Sequence, residues 1–193
     1  MSIYSRSGDD GKTDLFPWGR ISKTDLRIEA LGDLDELNAW LGILRSQKIG
    51  EKLDSLLETF QKLLFRISAE LSCPAPEKTE WLDRLKVEDV EYLETRIDAL
   101  ESRLPPIKEF LIFQGPQTAA FSQLARAVCR RAERSTWRLA EAEKDTDPSG
   151  VSPEILRWLN RFSDFLFTLG RTFSENVPDE NVSAKRNIGS ENE

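Results

Sequence analysis

The chain has 193 residues with a formal net charge of -7, and 39% of the residues are hydrophobic. An acidic chain repels polyanions, which argues against nucleic acid and acidic membrane surfaces as partners. Histidine is absent, which excludes Ser-His and Cys-His nucleophilic pairs, His-ligated zinc and His acid–base chemistry. Because there are only two cysteines, no signal peptide and no apolar run of membrane length, we expect one domain in the reduced cytoplasm.

The first 30 residues are polar and lack helical periodicity. Their glycine, hydroxyl, acidic and cationic residues include Ser7, Gly8, Asp9, Gly11, Thr13, Gly19, Arg20 and Lys23. Glycines let the backbone approach a phosphate closely, and hydroxyls and lysines can complete such a cradle. A P-loop is excluded, because its first glycine would fall at Arg6 and no strand pattern precedes it. The alternative interpretation is a flexible arm with turn glycines.

The rest of the chain has the apolar spacing of five helices. The first helix begins at Asp33, where Asp33 and Glu36 fit an acidic variant of the capping box. The other four are predicted over residues 51–71, 87–102, 115–142 and 152–175. Ser152 would supply a capping hydroxyl for the last helix. Since no segment shows a convincing strand alternation, the pattern predicts an all-α, five-helix up-and-down bundle.

These elements predict one domain in three parts. An N-terminal segment, 1–30, packs on the bundle, and the helical bundle itself covers 31–175. The tail, 176–193, is polar and ends in GSENE, which is typical of a disordered terminus.

The fourth helix carries a row of arginines four residues apart. Arg126, Arg130 and Arg134 would form a cationic ridge along one face, and Trp137 lies near its end. One interpretation is a solvated basic face. The other is a polyphosphate site, because arginines at the edge of a central helix need carboxylate or phosphate partners. Both interpretations stay open on the residues alone.

Two further segments carry polar residues at helical spacing. Asn160, Asp164 and Phe167 fall on one stripe of the fifth helix, an arrangement that is usual for a surface helix. On the first helix, Asp33 suits the helix dipole, whereas Asp35 could pair with an arginine from elsewhere in the fold.

Taken together, three blocks of the sequence resemble the PduO-type ATP:cob(I)alamin adenosyltransferases. The opening block comprises Ser7-Gly8-Asp9, Gly11, Thr13, Gly19, Arg20, Lys23, Ala30, Gly32 and Asp35-Glu36-Leu37-Asn38, with a serine in place of a threonine. The second block is Ala125-Arg126 with Arg130-Arg131-Ala132-Glu133-Arg134, and the third covers 159–167. The blocks stand in the family's order and span residues 7 to 171, which is nearly the whole chain outside its tail.

The resemblance implies a homotrimer of five-helix bundles with active sites between subunits. It implies transfer of the 5′-deoxyadenosyl group of magnesium-bound ATP to cob(I)alamin, with release of triphosphate. The N-terminal segment would fold over ATP. The ATP-site residues implied are Ser7, Gly8, Asp9, Gly11, Thr13, Lys23, Arg130, Glu133, Arg134 and Asn160. Arg130, Asp35 and Arg134 would serve catalysis, with Asp35 paired to Arg130 of a neighbouring subunit, and Phe110, Phe113 and Phe167 would face the corrin. The metal ligands are not implied.

The chain departs from the family pattern before and within the fourth helix. Gln114-Gly115-Pro116 replaces a Pro-Gly-Gly turn, and Ser122-Gln123 replaces a Leu-His pair. In relatives this stretch faces the cobalamin, so corrin affinity or exclusion of the lower axial ligand is expected to differ, while the ATP half is intact. The departure keeps two alternatives open: a non-catalytic ATP- or cobalamin-binding relative, and a structural bundle. A flavoprotein reductase and a B12-dependent acceptor enzyme are the implied protein partners.

Overall fold

Five helices dominate the fold in a computed structural model that describes residues 4–16, 19–73, 80–108, 110–145, 150–174 and 181–182. They are α1 (Leu26–Arg45), α2 (Glu51–Ser72), α3 (Val87–Glu101), α4 (Gln117–Glu143) and α5 (Pro153–Ser174). The predicted five-helix fold is therefore confirmed, and four of the five helices lie within a few residues of their predicted bounds. Among the described residues, no helix has the length and apolar character required to span a bilayer.

The start of α1 differs from the prediction. The carboxylate of Asp25 accepts a hydrogen bond of 2.8 Å from the backbone N–H of Arg27, so Asp25 caps the helix and α1 begins at Leu26. The predicted start at Asp33 is wrong, because Asp33 and Glu36 lie within the helix and bind Arg131 instead.

The predicted cap of α5 is also wrong. The N–H of Ile155 donates to the backbone oxygen of Ser152 at 3.2 Å. The Ser152 hydroxyl is buried and has no hydrogen-bond partner within the described part of the chain. The helix therefore starts through the carbonyl of Ser152 rather than through its side chain.

The core lies where α5 meets α2 and α4. Four aromatic side chains, Phe60, Trp158, Phe162 and Phe165, are fully buried there, and Phe60 makes edge contacts with the other three at centroid distances of 5.1–6.1 Å. The longest helix, α4, packs along both α1 and α5, while α3 packs on α5 and α2 on α1. This arrangement leaves one long stripe of α4 exposed.

Four short strands were not predicted. The strands β1 (Lys12–Leu15) and β2 (Gly19–Ser22) pair as an antiparallel hairpin, with Lys12 opposite Ser22 and Leu15 opposite Gly19. A second pair joins β3 (Phe110–Leu111) to β4 (Asn181–Val182). The expectation of no strands failed, because these segments are too short and too polar to show an apolar alternation.

The four short strands lie in or next to the two terminal segments. The hairpin strands pack on each other, and most of their residues are exposed. At the other end, β4 places residues 181–182 beside the loop that precedes α4. The rest of the predicted tail, 176–180 and 183–193, lies outside the described residues.

Candidate functional site

The arginine ridge, Arg126, Arg130 and Arg134, lies along the exposed stripe of α4 as the spacing predicts. Arg130 and Arg134 are exposed, and the Arg134 guanidinium donates a hydrogen bond of 2.9 Å to the backbone oxygen of Arg130. Within the described part of the chain, no carboxylate forms an ion pair with any ridge arginine. The ridge therefore carries positive charge that forms no ion pair among the described residues, which suits an anionic ligand.

Arg126 is the most buried member of the ridge. Its Nε donates to Gln123 Oε1 at 2.7 Å, and its guanidinium lies 5.0 Å from the ring centroid of Phe113. Burial and the nearby charge of Arg130 lower the pKa of Arg126 from its ordinary value. Two guanidinium groups close enough to disfavour each other's charge would be stabilised by an anion held between them.

A cleft of about 380 Å³ opens beside the ridge, between α4 and the start of α5. The residues that line it are Glu133, Trp137, Pro153, Leu156, Arg157, Asn160 and Arg161. Asn160 Nδ2 donates to Glu133 Oε1 at 3.1 Å, and Arg161 Nη1 donates to Asn160 Oδ1 at 2.7 Å. The predicted residues Glu133 and Asn160 thus meet in one cleft.

The sequence analysis missed Arg157 and Leu156 in this cleft. Arg157 lies three residues before Asn160 and four before Arg161, so helical spacing alone could have placed these three side chains on one face. Leu156 gave no such signal, because its apolar side chain fits the core pattern equally well.

The sulfur nearest the ridge has no catalytic role. Cys129 is fully buried, and its thiol donates to the backbone oxygen of Leu159 at 3.3 Å. Burial, together with the charges of Glu133 and Asp164, raises the pKa of the Cys129 thiol well above its ordinary value, although Arg130 opposes the shift. A thiol held in its neutral form is not a nucleophile, so the chemistry of this site does not run through Cys129.

The N-terminal residues predicted to bind phosphate gather around Lys23. Lys23 Nζ donates to the backbone oxygen of Gly8 at 2.7 Å, and the Lys23 N–H donates to that of Gly11 at 2.9 Å. Arg20 binds the backbone oxygen of Ser7 and the carboxylate of Asp10. No hydrogen bond or ion pair of the described residues joins this loop to the arginine ridge of its own chain.

Further predicted residues of this loop lie beside Lys23 without binding it. Asp9 donates its backbone N–H to the oxygen of Arg6, and Thr13 pairs with Ile21 in the hairpin. Ser7, Asp9 and Gly11 are thus exposed, whereas Gly8 and Thr13 are half-buried.

Asp35 is exposed on α1 and, among the described residues, binds neither Arg130 nor any other cation. Of the aromatic candidates, Phe113 and Phe167 meet in an edge contact with ring centroids 6.1 Å apart. Phe110 is 71% exposed on β3. The structure therefore joins two of the three predicted aromatic residues and leaves Phe110 and Asp35 on the surface.

Comparison with known proteins decides the family. Residues 3–173 match the family model described as cobalamin adenosyltransferase. The chain belongs to this family. The family resemblance predicted from the three sequence blocks is thereby confirmed.

Cobalamin adenosyltransferases of several bacteria resemble the chain along most of its length. The corrinoid adenosyltransferase of Bacillus subtilis is 35% identical over 98% of this chain and 90% of its own length. That of Mycobacterium tuberculosis is 38% identical over 93% of this chain and 91% of its own length. The corrinoid adenosyltransferase PduO of Salmonella typhimurium is 36% identical over 94% of this chain, but the chain spans only 52% of that relative.

A solved adenosyltransferase structure has the same fold. A phenylalanine-to-alanine variant of the PduO-type ATP:corrinoid adenosyltransferase from Lactobacillus reuteri, complexed with cobalamin and ATP, superposes with a TM-score of 0.82. It is 30% identical, and the match covers 94% of this chain and 99% of the other. The two chains therefore share one fold over nearly their whole length.

Proposed function

We propose that this chain transfers the 5′-deoxyadenosyl group of ATP to cob(I)alamin, forming adenosylcobalamin and triphosphate. The observation that carries the proposal is the arginine ridge beside the Glu133–Asn160 cleft. In a chain with net charge -7, three arginines without a carboxylate partner in the described residues make a local site for a polyanion. Membership of the cobalamin adenosyltransferase family supports a nucleoside triphosphate as that polyanion.

The reaction suits a chain without histidine. The cobalt centre of cob(I)alamin supplies the electron pair that forms the bond to C5′ of ATP. The bond between C5′ and its oxygen breaks, and the electron pair of that bond leaves with the triphosphate. No proton has to be removed from a protein nucleophile, so the chain needs only to align the two substrates and to stabilise charge on the leaving group.

Each of these two tasks can be given to particular residues of the chain. Arg130 and Arg134 are exposed on the ridge and would stabilise the triphosphate as its negative charge grows. Lys23 would add a third cation from the N-terminal loop, together with Ser7, Gly8, Asp9, Gly11 and Thr13. Asn160 is held by Glu133 and Arg161 in a fixed orientation, so it would position the nucleoside rather than carry charge.

Magnesium fits this site as the companion of the nucleotide. Nucleotide-bound magnesium is usually held by phosphate oxygens, water and one or two carboxylates. Within the described residues, no three acidic or cysteine side chains converge as a separate metal site, whereas Glu133 supplies one carboxylate beside the ridge. The ion would neutralise part of the triphosphate charge.

On the corrin side, Phe113 and Phe167 would pack against the macrocycle. The altered turn before α4 is fixed to the end of α5, because Ser174 Oγ donates to the backbone oxygen of Gln114 at 2.8 Å. Gly115 has φ +125°, and a Cβ there would stand 2.7 Å from Ser174 Oγ, so only glycine fits. Phe110, on the strand before this turn, completes the proposed corrin surface.

A homotrimer with sites between subunits is part of the proposal. Asp35 and Arg130 are both exposed, and neither has an ion-pair partner among the described residues of its own chain. That is the arrangement expected of two groups that pair across an interface. We place the enzyme in the cytoplasm. A flavoprotein reductase would be its partner before the reaction, and a B12-dependent enzyme would accept its product.

The test is anaerobic turnover of the purified protein with magnesium-ATP and chemically reduced cob(I)alamin, followed by the spectral change to adenosylcobalamin. We expect conversion by the wild type and a loss of kcat/KM of about 100-fold in Arg130→Ala, the size typical of removing one charge-stabilising donor. The matched control is Arg138→Ala, because Arg138 lies two turns further along α4 and binds Glu29. A wild type that ATP stabilises against heat without turnover would instead be a binding relative.

A further inference from the structure

Four residues form a closed cycle of contacts at the end of the arginine ridge. Gln123 Oε1 accepts from Arg126 Nε at 2.7 Å, and the Arg126 guanidinium lies over the ring of Phe113 at 5.0 Å. Phe113 contacts the ring of Phe167, and the backbone oxygen of Phe167 accepts a long hydrogen bond of 3.5 Å from Gln123 Nε2. The cycle therefore joins α4, the loop before it and α5.

The fold makes room for Gln123 in this cycle. Its side chain is buried, with 9% of the residue exposed, so its amide has to find partners inside the protein. Gly170 provides the space, because a Cβ at that position would stand 2.5 Å from Gln123 Nε2. Glycine in the middle of a helix costs stability of about 1 kcal/mol relative to alanine, so the packing of this amide accounts for its presence.

A neutral amide has a specific consequence for Arg126. Other arginines of the chain are fixed by acids, as Arg45 is by Asp54 and Glu58. A carboxylate in place of Gln123 would fix Arg126 equally well but would cancel its charge. Glutamine orients the guanidinium and leaves the charge of the ridge intact.

We propose that Gln123 is a positioning residue for the corrin end of the site, which holds Arg126 on Phe113 and thereby fixes the Phe113–Phe167 pair. The inference rests on the proposed function, in which this aromatic pair packs against the corrin. Gln123 is buried beside Arg126. It acts through Arg126, whose guanidinium lies over the ring of Phe113, the ring that meets Phe167 in an edge contact.

The experiment compares KM values for cob(I)alamin and for ATP in Gln123→Leu and Gln123→Glu. Gln123→Leu keeps the volume and removes the acceptor, so the corrin KM should rise about ten-fold, the effect of losing a hydrogen bond to a charged group. The ATP KM should stay within about two-fold, because Arg130 and Arg134 are untouched. Gln123→Glu keeps the acceptor and should restore the corrin KM, while its negative charge should raise the ATP KM several-fold.

Gln61→Leu is the matched control. Gln61 also accepts from an arginine, Arg45 Nη1 at 2.9 Å, and donates to the backbone oxygen of Asn38 at 3.0 Å, between α1 and α2. Its loss should lower the melting temperature and leave both KM values unchanged. If Gln123→Leu behaves like this control, or raises both KM values equally, the inference is overturned.

A separate measurement distinguishes this failure from failure of the proposed function. If the wild type binds cob(II)alamin but shows no turnover, the proposed transferase activity is wrong, but the positioning role of Gln123 can still be tested. The dissociation constant for cob(II)alamin then takes the place of KM: a rise of about ten-fold in Gln123→Leu, reversed in Gln123→Glu, supports the positioning role. Equal dissociation constants for the wild type and Gln123→Leu, or absence of cob(II)alamin binding, would contradict it.

Discussion

Two faces of α4 use their arginines in opposite ways. On the face toward α1, Arg131 binds Asp33 and Glu36, and Arg138 binds Glu29. On the exposed stripe, the arginine ridge has no carboxylate partner within the described chain. The residue type is the same on both faces, so the acids of the neighbouring helix make the difference. Paired arginines stabilise the fold, whereas unpaired ones keep their charge for a ligand.

The most buried paired arginine should give the largest effect. Arg27 is 4% exposed and binds the Glu143 carboxylate and the backbone oxygen of Leu71. Removing one member of a buried ion pair costs about 3–5 kcal/mol, so Arg27→Met should lower the free energy of unfolding in urea by about that amount. The double variant Arg27→Met with Glu143→Leu should recover part of the loss. A single variant as stable as the wild type would show that the pairing does not stabilise this fold.

Arg131→Ala should have a smaller effect on the free energy of unfolding, and it tests directly whether the two faces have different roles. Its ion pairs are partly exposed, with 42% of the Arg131 side chain accessible, so the loss should be about 1 kcal/mol of unfolding free energy. Turnover should stay close to that of the wild type, the reverse of the expected result for Arg130→Ala. Calorimetry and the turnover assay on the same preparations check both parts. Comparable losses of activity in Arg131→Ala and Arg130→Ala would contradict the different roles assigned to the two faces.

The smallest effect should come from Asp164 on α5. Burial raises the pKa of Asp164, although the charges of Arg161 and Arg130 oppose the shift. The unfolded chain therefore releases this proton at a lower pH than the folded chain, so the contribution of Asp164 to stability falls as the pH rises through that interval.

Asp164→Asn removes this titration. Relative to the wild type, the melting temperature of the variant should rise as the pH increases through the range that begins at about 4, because an ordinary aspartate titrates near that pH. The comparison needs only thermal melts of both proteins across that range. A difference that is constant with pH would mean that Asp164 titrates alike in the folded and unfolded chains.

Sequence patterns predicted the helices well, because each helix buries an apolar face with its own period. They failed at element ends and in short strands. The start of α1 depends on which of several aspartates caps it, and Asp25 and Asp33 look alike in sequence. The hairpin over 12–22 depends on backbone pairing between polar residues, for which no apolar period exists.

The candidate site divides in the same way. The arginine ridge lies within one helix, so a four-residue spacing was enough to predict it. The cycle of Gln123, Arg126, Phe113 and Phe167 joins two helices and a loop, and its contacts follow from tertiary packing that no local pattern encodes. The proposed pairing of Asp35 with Arg130 joins two subunits.

When Lys23 binds a nucleotide, it has to exchange one hydrogen-bond acceptor for another. Its ammonium already has a partner in the Gly8 carbonyl at 2.7 Å, so a phosphate that recruits it gains only the difference between a neutral and a charged acceptor. The released carbonyl must in turn find another donor. The N-terminal loop therefore rearranges its own hydrogen bonds as part of binding. Its affinity for the phosphates depends on the free energy that is lost when the hydrogen bond between Lys23 and Gly8 breaks.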